Sequence, residues 1–196
     1  IPPTCNGDTD AQILISNEAG GNGGPFTYSY NPVPGNGQGS NPATGYGAGS
    51  VTISVFDVGA GGGAPLCQQD SIVQIVNPPV LTTTEINPVG VSCFGICDGE
   101  ITANPVGGVL PYTFLWFDNA TGISTGFTDL TPNTFCTGDY FVQVTDANGC
   151  VVTSAPVNVS TPTQITVSSQ AYPVSCFGLC DGSVDVDPAG GTPGYT

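Results

Sequence analysis

The chain has 196 residues, 15 of them Asp or Glu and none Lys, Arg or His, for a formal net charge of −15, where ordinary usage predicts on the order of twenty basic residues. A surface of one sign makes no side-chain salt bridge and repels nucleic acid and anionic lipid, which excludes nucleic-acid partners and keeps neighbouring copies apart. Hydrophobic residues are 39% of the chain and charged residues 8%, so the signature of disorder is not met, and no apolar run long enough for membrane insertion is present.

In chain order, the first element is Ile1-Pro2-Pro3, which with no Met in the chain reads as internal to a longer polypeptide. Thr4-Cys5-Asn6-Gly7-Asp8-Thr9-Asp10 is the first landmark. Gly24-Pro25-Phe26-Thr27-Tyr28 opens a strand, and Gly49-Ser50-Val51-Thr52-Ile53-Ser54-Val55-Phe56-Asp57 alternates as a half-buried strand does. A Gly-rich insertion at 59–63 precedes Cys67, and Asn77-Pro78-Pro79 leads into a second copy.

The second copy is the fuller one. Val91-Ser92-Cys93-Phe94-Gly95-Ile96-Cys97-Asp98-Gly99 returns as Val174-Ser175-Cys176-Phe177-Gly178-Leu179-Cys180-Asp181-Gly182, a period of 83, and Cys5 lies 88 residues before Cys93. Leu110-Pro111-Tyr112-Thr113-Phe114 matches the element at Gly24, and Gly190-Gly191-Thr192-Pro193-Gly194-Tyr195 opens it again. Gly138-Asp139-Tyr140-Phe141-Val142-Gln143-Val144-Thr145-Asp146 matches the strand at 49–57. The chain is therefore two repeats, 1–77 (degenerate) and 78–161, and the first part of a third, 162–196, whose remainder is expected to follow.

Tyr112, Phe114 and Trp116 share one face of a strand, as do Tyr140, Val142 and Val144. Asp146-Ala147-Asn148-Gly149 has the turn chemistry for a hairpin over 138–159. No segment has helical period. About seven short strands per repeat, with turns every 8 to 12 residues, is the pattern of an all-β, immunoglobulin-like sandwich with Trp116 in its core. The joints Asn77-Pro78-Pro79 and Thr161-Pro162-Thr163 are short and stiff, so tandem modules are expected to form an extended rod.

Eight Cys without His point to an oxidising compartment and disulfides. The competing zinc reading is disfavoured, because Cys93/Cys97 and Cys176/Cys180 are spaced C-x3-C with no second clustered pair. Repeat one has Thr9 where repeat two has Cys97, and Gly47 where it has Cys136. Two cysteines lost together suggest a pair, Cys97 with Cys136. Cys5 and Cys67 then correspond to Cys93 and Cys150.

Cys136 and Cys150 flank one strand and lie roughly 20 Å apart, whereas residues 93 to 97 reach at most about 13 Å and a disulfide adds about 5.5 Å. Pairing Cys93 with Cys150 inside the module therefore requires 93–97 to run extended beside the 138–146 strand. That scheme is the expectation, with loops of 57 to 62 residues and a contribution of about 4 kcal/mol each. The alternative is Cys150 reaching back to Cys5 of the preceding copy. Cys176 and Cys180 have no partner within the third repeat as far as it extends.

Without His, Lys or Arg the usual general base, Schiff-base nucleophile and anion clamp are missing, so no enzymatic activity and no cofactor are expected. Asp10, Asp98 and Asp181 recur at one position and Asp57 and Asp146 at another. Calcium is the site hypothesis for them, since hard cations take carboxylate oxygens. The favoured reading is that they cap turns. Asp70-Ser71-Ile72 resembles a short bacterial O-glycosylation motif with Ser71 as acceptor, and Asn119-Ala120-Thr121 and Asn158-Val159-Ser160 are formal sequons. Phe94 and Phe177 follow a Cys in a loop, where packing over a disulfide is favoured over a sugar-stacking or surface-contact role.

The pattern V-S-C-F-G-x-C-D-G, then G-G-x-x-P-Y-T, then G-D-Y-F-V-Q-V-T-D-A-N-G-C resembles the SprB repeats of large surface adhesins of Bacteroidota, including gliding-motility adhesins. It covers nearly all of repeat two and the visible part of repeat three, and repeat one matches more loosely. The resemblance implies extracellular location at the cell surface, export by type IX secretion, and a place in a long filament. The partners it implies are neighbouring repeats of the same chain and a surface polysaccharide or substratum. The other function expected is a glycan- or protein-binding module.

Overall fold

A computed structural model of the chain describes all residues except 17–24, 34, 36–38, 40, 59–66 and 193. The Gly-rich insertion at 59–63, and Gly24 and Pro193 of the repeated landmarks, lie outside the described residues. The described residues are all-β, with no helix. Their strands are β1 (Ala11–Ile13), β2 (Phe26–Asn31), β3 (Ala43–Tyr46), β4 (Gly49–Asp57), β5 (Cys67–Ile75), β6 (Thr82–Val89), β7 (Glu100–Val106), β8 (Thr113–Asp118), β9 (Gly138–Thr145), β10 (Val151–Thr153), β11 (Val157–Val159), β12 (Thr166–Tyr172) and β13 (Ser183–Ala189).

Two compact units divide the chain, and the division runs across the sequence repeats. The first contains 1–82, 105–112 and 145–152; the second contains 83–104, 113–144 and 153–196. In the first unit β1 pairs with β3, and β4 lies between β2 and β5, all antiparallel. Both sheets send side chains into one cluster: Ala11, Ile13, Ala43 and Tyr46 from one, Tyr30, Val51, Ile53 and Ile75 from the other. The alternation of β4 sets this arrangement, because every second residue of a pleated strand faces the same way.

In the second unit β9 pairs with β8 and β11, β6 pairs with β7, and β12 pairs with β13. The hairpin expected over 138–159 is present as β9 against β11, in the register Val157↔Tyr140 to Val159↔Gly138. Tyr140, Val142 and Val144 are buried as one face of β9. Trp116 is fully buried, its Nε1 donating to Asp129 O at 2.9 Å, with its ring edge-on to Phe135 at 5.5 Å. An indole is accommodated there because its one donor finds a carbonyl. On the other face, Phe117 and Phe141 stack at 5.0 Å.

Candidate functional site

The recurring cysteine loop is built the same way in each copy. Thr4 N, Ser92 N and Ser175 N donate to Oδ1 of Asp10, Asp98 and Asp181 at 2.8, 2.8 and 3.0 Å. Inside the loop Asp8 N, Ile96 N and Leu179 N donate to the carbonyls of Cys5, Cys93 and Cys176 at 3.1, 3.2 and 3.2 Å. The neighbouring hydroxyl, of Thr4, Ser92 or Ser175, and then the same residue's amide hold the carboxyls of Asp10, Asp98 and Asp181 below the usual range. With no side-chain cation in the chain, N–H and O–H groups are the donors available to these carboxylates.

The second component is the turn after β9. Asp146 Oδ1 accepts from Asn148 N and Cys150 N, both at 2.9 Å, and Oδ2 accepts from Val109 N at 2.9 Å. Ala147 N donates back to Val109 O at 2.8 Å, and Gly149, at φ +87°, donates to Asp146 O at 3.0 Å. Burial pushes the Asp146 carboxyl up, but the amides of Val109, Cys150, Asn148 and Gly149 outweigh it and hold the carboxyl low. Asp57, at the matching position, is also buried. No group of three His, Cys, Asp or Glu side chains that could hold a metal ion converges among the described residues.

These two components meet within the first unit. Cys5 is bonded to Cys150 with a Cα separation of 5.7 Å, and Asn148 Nδ2 donates to Thr4 O at 2.8 Å. Asn6 Nδ2 donates to Pro78 O at 2.9 Å, and Gly108 N to Pro79 O at 2.9 Å. The Pro joint and the Gly107-Gly108 pair thus line the same seat. A Cβ on Gly107, at φ +78°, would lie 1.8 Å from Val80 O, so this close approach admits only glycine.

The disulfide corrects the expected pairing of Cys93 with Cys150 and of Cys5 with Cys67. Cys93 and Cys67 are free and exposed, as are Cys176 and Cys180. The extended run that the intramodule scheme required is absent, because residues 93–96 close into a turn through Ile96 N to Cys93 O at 3.2 Å. A turn shortens the reach of a segment that could only just have spanned the gap. Cys97 is bonded to Cys136 with a Cα separation of 4.0 Å. The reciprocal bonds between Gly99 and Phe135, both 3.0 Å, bring these two cysteines together.

Ser71 is exposed in the interior of β5, opposite Ile53. Asn119 is exposed at the turn after β8, and Asn158 donates through Nδ2 to Asp139 Oδ1 at 2.7 Å. Phe94 and Phe177 are exposed rather than packed over a disulfide. The bonding of Asn148, Pro78, Pro79 and Gly108 at this seat is not marked by residue type alone. A signal for one of them existed, since Gly107-Gly108 recurs as Gly190-Gly191.

Compared with known families, residues 86–121 and 168–196 match the model of the SprB repeat. No curated protein matches the chain in sequence.

Proposed function

We propose that this chain, which carries SprB repeats at two segments, is a structural and adhesive portion of a large cell-surface filament of the gliding-motility adhesin kind. In this reading it leaves a Bacteroidota cell by type IX secretion, and its modules are immunoglobulin-like sandwiches strung as a stiff rod. The observation that carries the proposal is the Cys5–Cys150 bond, which leaves one sequence repeat and enters the next. A covalent tie across a repeat boundary suits a filament that bears load. The tie spares the joint from relying on noncovalent contacts that open locally at low free energy.

Three further features support this reading. The joints at Pro78-Pro79 and Pro162 are short. The uniform negative charge keeps parallel copies from aggregating. The lack of His, Lys and Arg argues against catalysis, and weak contacts repeated along many modules raise avidity without a strong single site. A binding-module reading is favoured by the exposed Phe94 and Phe177, at one position in successive copies. Antibody raised against this segment is expected to label intact cells of the source organism, and labelling only after permeabilisation would overturn the surface assignment. On a glycan array the protein is expected to bind weakly and broadly. Specific sub-millimolar binding to one glycan would favour the binding module instead.

A further inference from the structure

The second unit contains a groove of about 430 Å³ bordered by Ser92, Cys93 and Phe94 on one side and by Pro162, Ile165 and Gly191 on the other. Its walls repeat, position by position, the backbone of the seat that the Asp146 turn fills in the first unit, with Phe94 where that seat has Asn6. Cys93 stands for Cys5 and Ser92 for Thr4, displaced by 88 residues. Thr163 and Ile165, displaced by 84, stand for Pro79 and Leu81, and Gly191 and Thr192, displaced by 83, stand for Gly108 and Val109.

The backbone repeats as well as the sequence. Gly107 and Gly108 have φ of 78° and 60°, and Gly190 and Gly191 have 82° and 61°. Gly108 N donates to Pro79 O at 2.9 Å, and Gly191 N donates to Thr163 O at 2.8 Å. Tyr112 and Tyr195 donate through their hydroxyls to the carbonyls of Gly107 and Gly190. In the first unit the seat is filled by one turn, which spends its Asp on Val109 N, its Asn on Thr4 O and its Cys on Cys5. In the second unit the groove is open and Cys93 is a free, exposed thiol.

We propose that this groove is a docking site for the Asp-x-Asn-Gly-Cys turn of the repeat that begins at residue 162, and that Cys93 forms a disulfide with that turn's cysteine. The incoming carboxylate takes the Thr192 amide, the asparagine takes the Ser92 carbonyl, and the Cys is delivered to Cys93. Each repeat is thereby locked to its successor by the same interlocking bond, so that the staple at Cys5 is one of a series. In forming the bond the two thiols give up two protons and two electrons to a disulfide oxidant, which leaves as two thiols. The inference rests on the tandem-repeat reading of the chain and is independent of whether the filament adheres to anything.

The test uses the 196-residue protein and a nine-residue peptide with the sequence of residues 144–152, Val-Thr-Asp-Ala-Asn-Gly-Cys-Val-Val, supplied as its mixed disulfide with glutathione. A protein thiolate attacks the peptide sulfur, the new S–S bond forms as the old one breaks, and glutathione leaves as thiolate. Fragments from pepsin digestion, read by mass spectrometry, report which of Cys67, Cys93, Cys176 and Cys180 carries the peptide. Cys176 is the internal control: it is exposed and sits in the same Val-Ser-Cys-Phe-Gly loop sequence, but does not border this groove.

Capture at Cys93 is expected to be at least about tenfold faster than at Cys176, the ratio that a preference of about 1.4 kcal/mol gives. The preference is expected to vanish when the peptide carries Asn for its Asp together with Ala for its Asn. Equal capture at Cys93 and Cys176, or an unchanged preference with the altered peptide, would overturn the proposal. Failure on the glycan array would leave this result untouched, so the two readings fail separately.

Discussion

Asp146 accepts three backbone N–H bonds, because one buried side chain closes its own turn and also holds Val109. Replacing it with Asn keeps the shape but loses the charge on three N–H bonds. Asp146→Asn is expected to destabilise the first unit by about 2 to 3 kcal/mol, read as a fall in Tm. The sign of its pH dependence follows from the lowered carboxyl. Its stabilisation is complete above the unfolded value near 3.9 and is lost as pH falls through the lower folded value. Tm is therefore expected to be flat from about pH 5 to 8 and to fall below about pH 4, with the fall shallower in the variant. Asp10, Asp98 and Asp181 titrate in the same direction, so some slope remains.

Tyr46 is the opposite case. Its hydroxyl is buried without a hydrogen-bond partner, and burial, reinforced by Tyr30, pushes its pKa up to about 12. A phenol raised in this way favours the fold while neutral, so this contribution is lost as pH rises from about 10 toward that value. Since an orphaned buried hydroxyl costs about 1 to 3 kcal/mol, Tyr46→Phe is expected to raise Tm rather than lower it. A fall in Tm would show that the hydroxyl has a partner.

At the scale of elements, β8 and β9 carry the core of the second unit through Trp116, Tyr140, Val142 and Val144. Trp116→Ala is expected to cost about 3 to 5 kcal/mol, and Trp116→Phe less, because a phenyl ring still touches Phe135. These elements were legible in advance: the period of two predicted β9, and Asp146-Ala147-Asn148-Gly149 predicted its turn. The break between β10 and β11 was less legible. Repeat two has six strands among the described residues, close to the about seven expected, and its β10 and β11 are short lengths separated by Ser154, whose Oγ accepts from Val142 N at 3.0 Å. A side chain that substitutes for a ladder carbonyl leaves no mark on hydrophobic alternation.

At the scale of the whole chain, the two disulfides close segments of very different length. Cys97–Cys136 spans 39 residues and Cys5–Cys150 spans 145, which the chain-entropy model converts to about 4 and about 5 kcal/mol. The Cys97→Ser, Cys136→Ser pair is expected to lower the unfolding midpoint in urea of the second unit. The Cys5→Ser, Cys150→Ser pair is expected to lower that of the first. Equal shifts of both transitions by either pair would contradict the division into two units. With a charge of −15 and no cation, added salt screens only repulsion, so Tm is expected to rise between low and physiological ionic strength.

The amino-acid sequence by itself determined the all-β class, the repeat and its landmarks, the burial of Trp116, and the uniform negative charge. Each of these is carried by local periodicity or by composition, which need no knowledge of distant neighbours. The repeats also paired Cys97 with Cys136, because a co-lost pair is visible wherever two copies can be compared. Only the tertiary structure decided where Cys150 goes. Cys5 and Cys93 have the same local sequence class and the same loop, so nothing near either of them distinguishes a partner in its own repeat from one in the next. The choice was made by the turn at 93–96 and by the seat that Pro79, Gly107 and Val109 form around Asp146. Those contacts join residues as far apart as Thr4 and Asn148, and such a seat exists only once the chain has folded.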